Sequence, residues 1–142
     1  MSSLLNNRYR IISSLGEVGG FGKTFLAIDE HTPSKRQCVV KQLSFFSPDP
    51  EVYALIKERF EQEAAILEKL GESHDQIPRL FAYFSEANQF YLVQELIEGD
   101  TLANRVRNVG RLPTQDVRQI MISLLSVLEY VHGLWGSKSL FL

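Results

Sequence analysis

The sequence predicts an α+β fold: a mainly antiparallel five-stranded sheet that carries one long helix, with further helices after it. Three observations predict it. Segments rich in β-branched and aromatic residues occur first as a group of three and later as a pair. Between the two groups lies a single long stretch with apolar residues every three or four positions. After the pair, only helix-period segments remain.

The elements follow in order. Residues 9–15 (YRIISSL) read as the first strand, and Gly16-Glu17-Val18-Gly19-Gly20-Phe21-Gly22 turns the chain into a second, residues 24–28. His31, Pro33 and Ser34 mark a turn before the third strand, residues 37–43. Asp49 is a good helix N-cap, Pro50 suits the first helical position and Glu51 suits the positive end of the helix dipole. That helix is expected to run to about Leu70, with Gly71 as its stop. Residues 80–84 and 90–94 flank Glu86-Ala87-Asn88-Gln89 and predict a hairpin with a turn of four or five residues. A short helix is expected over residues 102–108, and a long one over residues 114–132 with Thr114 as cap.

Bulk properties exclude several classes. A chain of 142 residues with 44% hydrophobic content suits one small domain or part of a larger one. A formal net charge of −2 points away from non-specific binding to nucleic acid or to a membrane surface. The lone cysteine, Cys38, excludes an internal disulfide and falls on a strand that would bury it, which fits a reducing, cytoplasmic setting. Residues 1–10 lack the apolar core of a signal peptide. No stretch reaches the roughly 18 apolar residues of a membrane-spanning helix. His31, His74 and His132 do not cluster, so no metal site is expected. The aromatics Phe81, Tyr83, Phe84, Phe90 and Tyr91 read as sheet core.

Two charged residues stand where apolar ones belong. Lys41 shares a strand face with Val39 and Leu43. Glu63 lies in the helical stripe Tyr53, Ile56, Phe60, Glu63, Leu67, Leu70. A charge on a buried face is costly unless paired, and these two have opposite sign, so they are expected to pair. Upstream, Gly22-Lys23-Thr24 imitates the end of a Walker A motif. That motif needs a glycine at position 17, which is Glu17, and a helix starting at the lysine, where the sequence is strand-like. The alternative is a glycine loop between two strands: Gly19 and Gly22 match the second and third glycines of G-x-G-x-x-G, while Gly16 lies one place early, as though Val18 were inserted. Glycines there let backbone N–H groups approach phosphate oxygens.

Taken together, residues 8–132 resemble the small lobe and first large-lobe helices of a Hanks-type bacterial serine/threonine protein kinase. The glycine loop, Cys38-Val39-Val40-Lys41, the helix segment around Glu63, His74-Asp75-Gln76-Ile77-Pro78, the segment Tyr91 to Gly99, and Leu128-Glu129-Tyr130-Val131-His132 appear in family order. The resemblance implies three parts: a kinase N-lobe over 1–98, the start of the C-lobe over 99–132, and a tail over 133–142 outside the family pattern. It implies that ATP, with Mg²⁺, binds here. Lys41 would hold the α- and β-phosphates, and Glu63 would orient Lys41 through an ion pair. Gly16, Gly19, Gly20, Phe21 and Gly22 would cover the phosphates. Thr24 and Val39 would pack on the base, Gln94 would be the gatekeeper, Glu95 and Ile97 would offer backbone groups to adenine, and Asp100 or Thr101 would reach the ribose.

The chain contains neither H-R-D nor D-F-G, the loops that supply the family's catalytic Asp and its Mg²⁺ ligands. Phosphoryl transfer by this chain alone is therefore not expected, nor are protein ligands for the metal. The alternatives are a non-catalytic nucleotide-binding or interaction module, and a truncated kinase remnant. Val117, Ile120, Leu124, Leu128 and Val131 form an apolar band on the last helix, which predicts docking to another chain or self-association.

Overall fold

The computed structural model describes residues 4–17, 22–45 and 47–135. The chain divides into two compact units, Met1–Leu96 and Ile97–Leu142. The first holds β1 (Tyr9–Glu17), β2 (Gly22–Asp29), β3 (Gln37–Leu43), α1 (Pro50–Ser73), β4 (Leu80–Glu86) and β5 (Gln89–Glu95). The second holds α2 (Leu102–Val109) and α3 (Thr114–Trp135). The strands form one five-stranded sheet in the order β1-β2-β3-β5-β4, antiparallel at every pairing. The expected α+β architecture is the observed one.

Both faces of the sheet are covered by apolar side chains. On one face Tyr9, Ala27, Cys38, Val40, Tyr91 and Val93 are buried, with Leu5, Phe25, Phe81, Ala82 and Phe84 packed around them. Cys38 sits fully inside this cluster with its Sγ 3.7 Å from the Ala27 carbonyl oxygen. Burial pushes its thiol pKa up to about 11, which makes it inert rather than nucleophilic. On the other face α1 lays Phe60 and Ala64 against Phe90 and Leu92. Most of the expected aromatic core is thus in place, although Tyr83 is 49% exposed at the edge strand β4.

Local chemistry explains the boundaries. The Asp49 side chain accepts from the Glu51 N–H at 2.9 Å, with Pro50 at the helix start, as expected. Gly71 does not stop the helix, which continues to Ser73. Its lack of a side chain serves packing instead: a Cβ at Gly71 would lie 2.5 Å from the Pro78 carbonyl oxygen and 2.9 Å from the Arg79 Cα. The β4–β5 turn is also tighter than expected. Glu86 pairs with Gln89, leaving Ala87 and Asn88 as a two-residue turn at φ 49° and 61°, the left-handed pair that matches sheet twist.

The second unit is built by caps. The Thr101 hydroxyl accepts from the Asn104 N–H at 3.1 Å and starts α2. Gly110, at φ 77°, ends it by donating its N–H to the Val106 carbonyl at 2.8 Å. Arg105 and Asp116 join α2 to α3 through an exposed 3.1 Å ion pair. No helix among the described residues is long and apolar enough to cross a membrane.

Candidate functional site

Directly opposed residues of antiparallel strands project from the same side of the sheet. The register sets Thr24 opposite Lys41 and Lys41 opposite Leu92; in the next row Leu26 stands opposite Val39 and Val39 opposite Gln94. Leu92 belongs to the cluster that α1 covers. Four residues that the sequence singles out, Thr24, Val39, Lys41 and Gln94, therefore occupy two adjacent rows of the helix-side face. Gly16 pairs with Thr24 from the β1 side.

Lys41 is half-buried, and that burial lowers its pKa below the ordinary lysine value. Among the described residues the ion pairs join Arg8 and Arg36 to Asp29, Arg10 and Lys35 to Glu30, and Arg105 to Asp116. Lys41 is in none of these five. Glu63 lies half-buried on α1. Ring contacts fix the position of that helix: Phe60 to Phe90 at 4.9 Å, Phe60 to Tyr83 at 5.8 Å and Tyr53 to Phe90 at 5.6 Å. These contacts anchor α1 over β4 and β5, and none of them depends on a carboxylate reaching β3.

Beside Lys41, Thr24 is only 9% exposed, and its Oγ1 is buried with no hydrogen-bond partner. Gln94 is buried at 6% exposure. A half-buried ammonium on this face is a group that an anionic oxygen would pair with. By that test the residues fit a phosphate-bearing ligand. The sequence marked Thr24 only as a packing residue; no pattern in sequence distinguishes a hydroxyl that packs from one left without a partner.

The glycines divide by role. Gly16 adopts φ 122° next to a register shift between Ser14 and Gly16, so the strand takes up an extra residue there as a bulge. A Cβ at Gly22 would fall on the Gln42 carbonyl oxygen, well inside contact distance. Gly22 is thus held by the approach of β3, whatever it does for a ligand. Gly19, Gly20 and Phe21 lie outside the described residues.

Toward the end of β5, the Glu95 N–H donates to the Arg79 carbonyl at 2.9 Å, and the Glu95 carboxylate accepts from the Arg79 N–H at 3.1 Å. Of the Glu95 backbone groups, its N–H is therefore already committed. Ile97 and Asp100 belong to the second unit, where both are exposed. The Thr101 hydroxyl accepts from the Asn104 N–H as the α2 cap.

The family model "Protein kinase domain" matches residues 9–135. The chain is 56% identical over 133 residues to serine/threonine-protein kinase PknA of Nostoc sp., covering 94% of this chain and 23% of that protein. It is 53% identical over 129 residues to serine/threonine-protein kinase C of Synechocystis sp., covering 91% of this chain and 24% of that one. The chain thus spans about a quarter of the length of these curated relatives. Among solved structures, a mutant of the Mycobacterium tuberculosis PknI kinase domain matches at a TM-score of 0.71 with 20% identity, over 94% of this chain and 51% of that one. At that identity the likeness speaks to the fold.

Proposed function

This chain belongs to the protein kinase family, and from that premise we propose that it forms the ATP-binding part of a serine/threonine protein kinase, a transferase acting on protein hydroxyls. The observation that carries the reading is the helix-side sheet face, with Lys41 half-buried on it, opposite Thr24. Lys41 holds the α- and β-phosphates there. Glu63, on α1, fixes the lysine's orientation. Val39 and Gln94 line the base side, and the backbone at Glu95 and Ile97 meets adenine. Mg²⁺ arrives as the counter-ion of the triphosphate. These 142 residues contain no H-R-D and no D-F-G, so the part assigned to them is to hold and orient the nucleotide rather than to transfer its phosphoryl group.

Calorimetry with Mg-ATP tests this. The chain is expected to bind in the micromolar to millimolar range, and Lys41→Ala to weaken binding by at least about tenfold, the loss of a charge-assisted contact. Absence of binding by the folded wild type, or equal binding by the variant, would remove the proposal.

A second observation supports self-association. Val117, Met121, Leu124 and Leu128 are 45%, 51%, 49% and 49% exposed and step by four, three and four residues, a coiled-coil seam. Between Val117 and Val131 the only acidic or basic side chains are Arg118 and Glu129, so a second copy meets little charge repulsion. Sedimentation velocity is expected to show a dimer that Leu124→Asp converts to monomer; a wild type that stays monomeric at about 100 μM would count against it.

A further inference from the structure

Arg79 and Glu95 lie one step beyond the pair Leu80 and Gln94 in the β4–β5 register. In an antiparallel ladder, two residues that form a hydrogen-bonded pair exchange both main-chain bonds, each N–H donating to the other's carbonyl. Here the exchange is made differently. The Glu95 N–H donates to the Arg79 carbonyl at 2.9 Å, whereas the Arg79 N–H donates to the Glu95 carboxylate at 3.1 Å. The side chain takes the bond that the ladder would give to the Glu95 carbonyl, and a carboxylate is the stronger acceptor of the two. The Arg79 main chain is also held from its other side by α1. A Cβ at Gly71 would lie 2.5 Å from the Pro78 carbonyl oxygen and 2.9 Å from the Arg79 Cα, so the helix backbone already abuts this segment.

We propose that the Glu95 carboxylate is a positioning group for the base. By taking the Arg79 N–H it holds the end of β5 against β4 and keeps the Glu95 carbonyl out of the ladder, where it can accept from the exocyclic amino group of adenine. The inference rests on the nucleotide-cradle reading above, in which the Glu95 backbone meets adenine, and adds to it the work of the side chain. With the Glu95 N–H committed to Arg79, the carbonyl is the main-chain group that this residue has left to offer. An acceptor selects a donor, and the donor that adenine presents is its amino group. Without the carboxylate, the Arg79 N–H would turn to the Glu95 carbonyl and compete with the base.

The test titrates Mg-ATP, and the Mg complex of purine riboside triphosphate, which lacks the amino group, into wild type, Glu95→Ala and Glu95→Gln, and melts each free protein. Wild type is expected to favour Mg-ATP by about tenfold, the weight of one hydrogen bond. Glu95→Ala is expected to narrow that preference to about twofold by weakening Mg-ATP alone, and Glu95→Gln, which keeps an acceptor oxygen, to retain it. Because the bond is exposed, free Glu95→Ala is expected to melt within a few degrees of wild type. An equal loss of both nucleotides in Glu95→Ala, with the preference unchanged, would overturn the inference. So would a Glu95→Gln whose preference falls with that of Glu95→Ala, or a Glu95→Ala that melts far below wild type, which would assign the bond to stability. A wild type that binds both nucleotides equally would overturn the inference and leave the cradle intact. A wild type that binds neither would overturn both together.

Discussion

Asp29→Asn is expected to lower the unfolding free energy at pH 7 by about 3 kcal/mol, near the lower end for breaking a buried ion pair because Arg8 keeps partial access to water. Asp29 is 1% exposed at the end of β2. Its carboxylate accepts a bidentate pair from Arg8, Nε to Oδ1 and Nη2 to Oδ2, both at 2.8 Å. The His31 N–H donates to Oδ1 at 3.1 Å, and Arg36 Nη2 stands 3.8 Å away while its guanidinium lies over the Phe81 ring at 3.7 Å. The same residue holds the β2–β3 turn by its backbone: its N–H donates to the Arg36 carbonyl, and its carbonyl accepts from the Thr32 hydroxyl. One carboxylate therefore ties the start of β1, the turn and the start of β3 together. The asparagine keeps the shape and loses the charge that two arginines face.

The pH dependence of that loss identifies its origin. The Arg8 hydrogen bond, with help from His31 and against the opposing effect of burial, holds the Asp29 carboxyl below its ordinary value. A group whose pKa is depressed on folding stabilises the fold fully above its unfolded value, about 3.9, and loses that contribution as pH falls through the lower folded value. Urea unfolding of wild type and Asp29→Asn should therefore differ most near neutrality and converge as pH falls through the lowered folded value, where the wild-type carboxyl takes up its proton. A gap of constant size across that range would assign the effect to shape rather than to charge.

The sequence shows some of this molecule plainly and other parts not at all, for physical reasons. Lys41 is legible because a charge interrupts an apolar strand, and strand periodicity alone places it on one face with Val39 and Leu43. The N-cap at Asp49 is legible because its partner is two residues away. The Asp29 cluster is not, because its arginines come from positions 8 and 36 and each residue taken singly is an ordinary turn or surface residue. The two-residue turn at Ala87-Asn88 is hidden because alanine carries no turn chemistry; sheet register imposes its positive φ. The seat of α1 is a further limit: periodicity assigns its residues a face, but the ring contacts of Phe60 that hold it are with Tyr83 and Phe90, far along the chain. The glycines are the most easily misread, since a residue with no side chain leaves no sign of which neighbour required its absence.

Gly22 makes that point testable. Gly22→Ala is expected to destabilise the free protein by about 2–3 kcal/mol, the upper range for forcing an extra methyl into a closed space. The added Cβ would fall on the Gln42 carbonyl oxygen and stand 3.3 Å from its carbon and 3.6 Å from the Leu43 Cα. All of these are backbone atoms of β3, so no flexible side chain can swing away to make room. Relief would require β2 to part from β3 at the rows that pair Gly22 with Leu43, Lys23 with Gln42 and Thr24 with Lys41. Those rows carry the candidate phosphate contacts, so nucleotide affinity should fall together with stability. Gly16→Ala supplies the contrast. Nothing lies within 4 Å of a Cβ there, and the only penalty is the φ of 122°, in backbone space essentially reserved for glycine, worth about 1–3 kcal/mol. Thermal melts of the two variants without nucleotide separate the alternatives. If Gly22→Ala melted with wild type and lost only Mg-ATP binding, the glycine would be present for the approach of phosphate. If it melts well below both wild type and Gly16→Ala, the requirement comes from the β2–β3 ladder, and the glycine signature at this position reflects sheet packing before it reflects ligand binding.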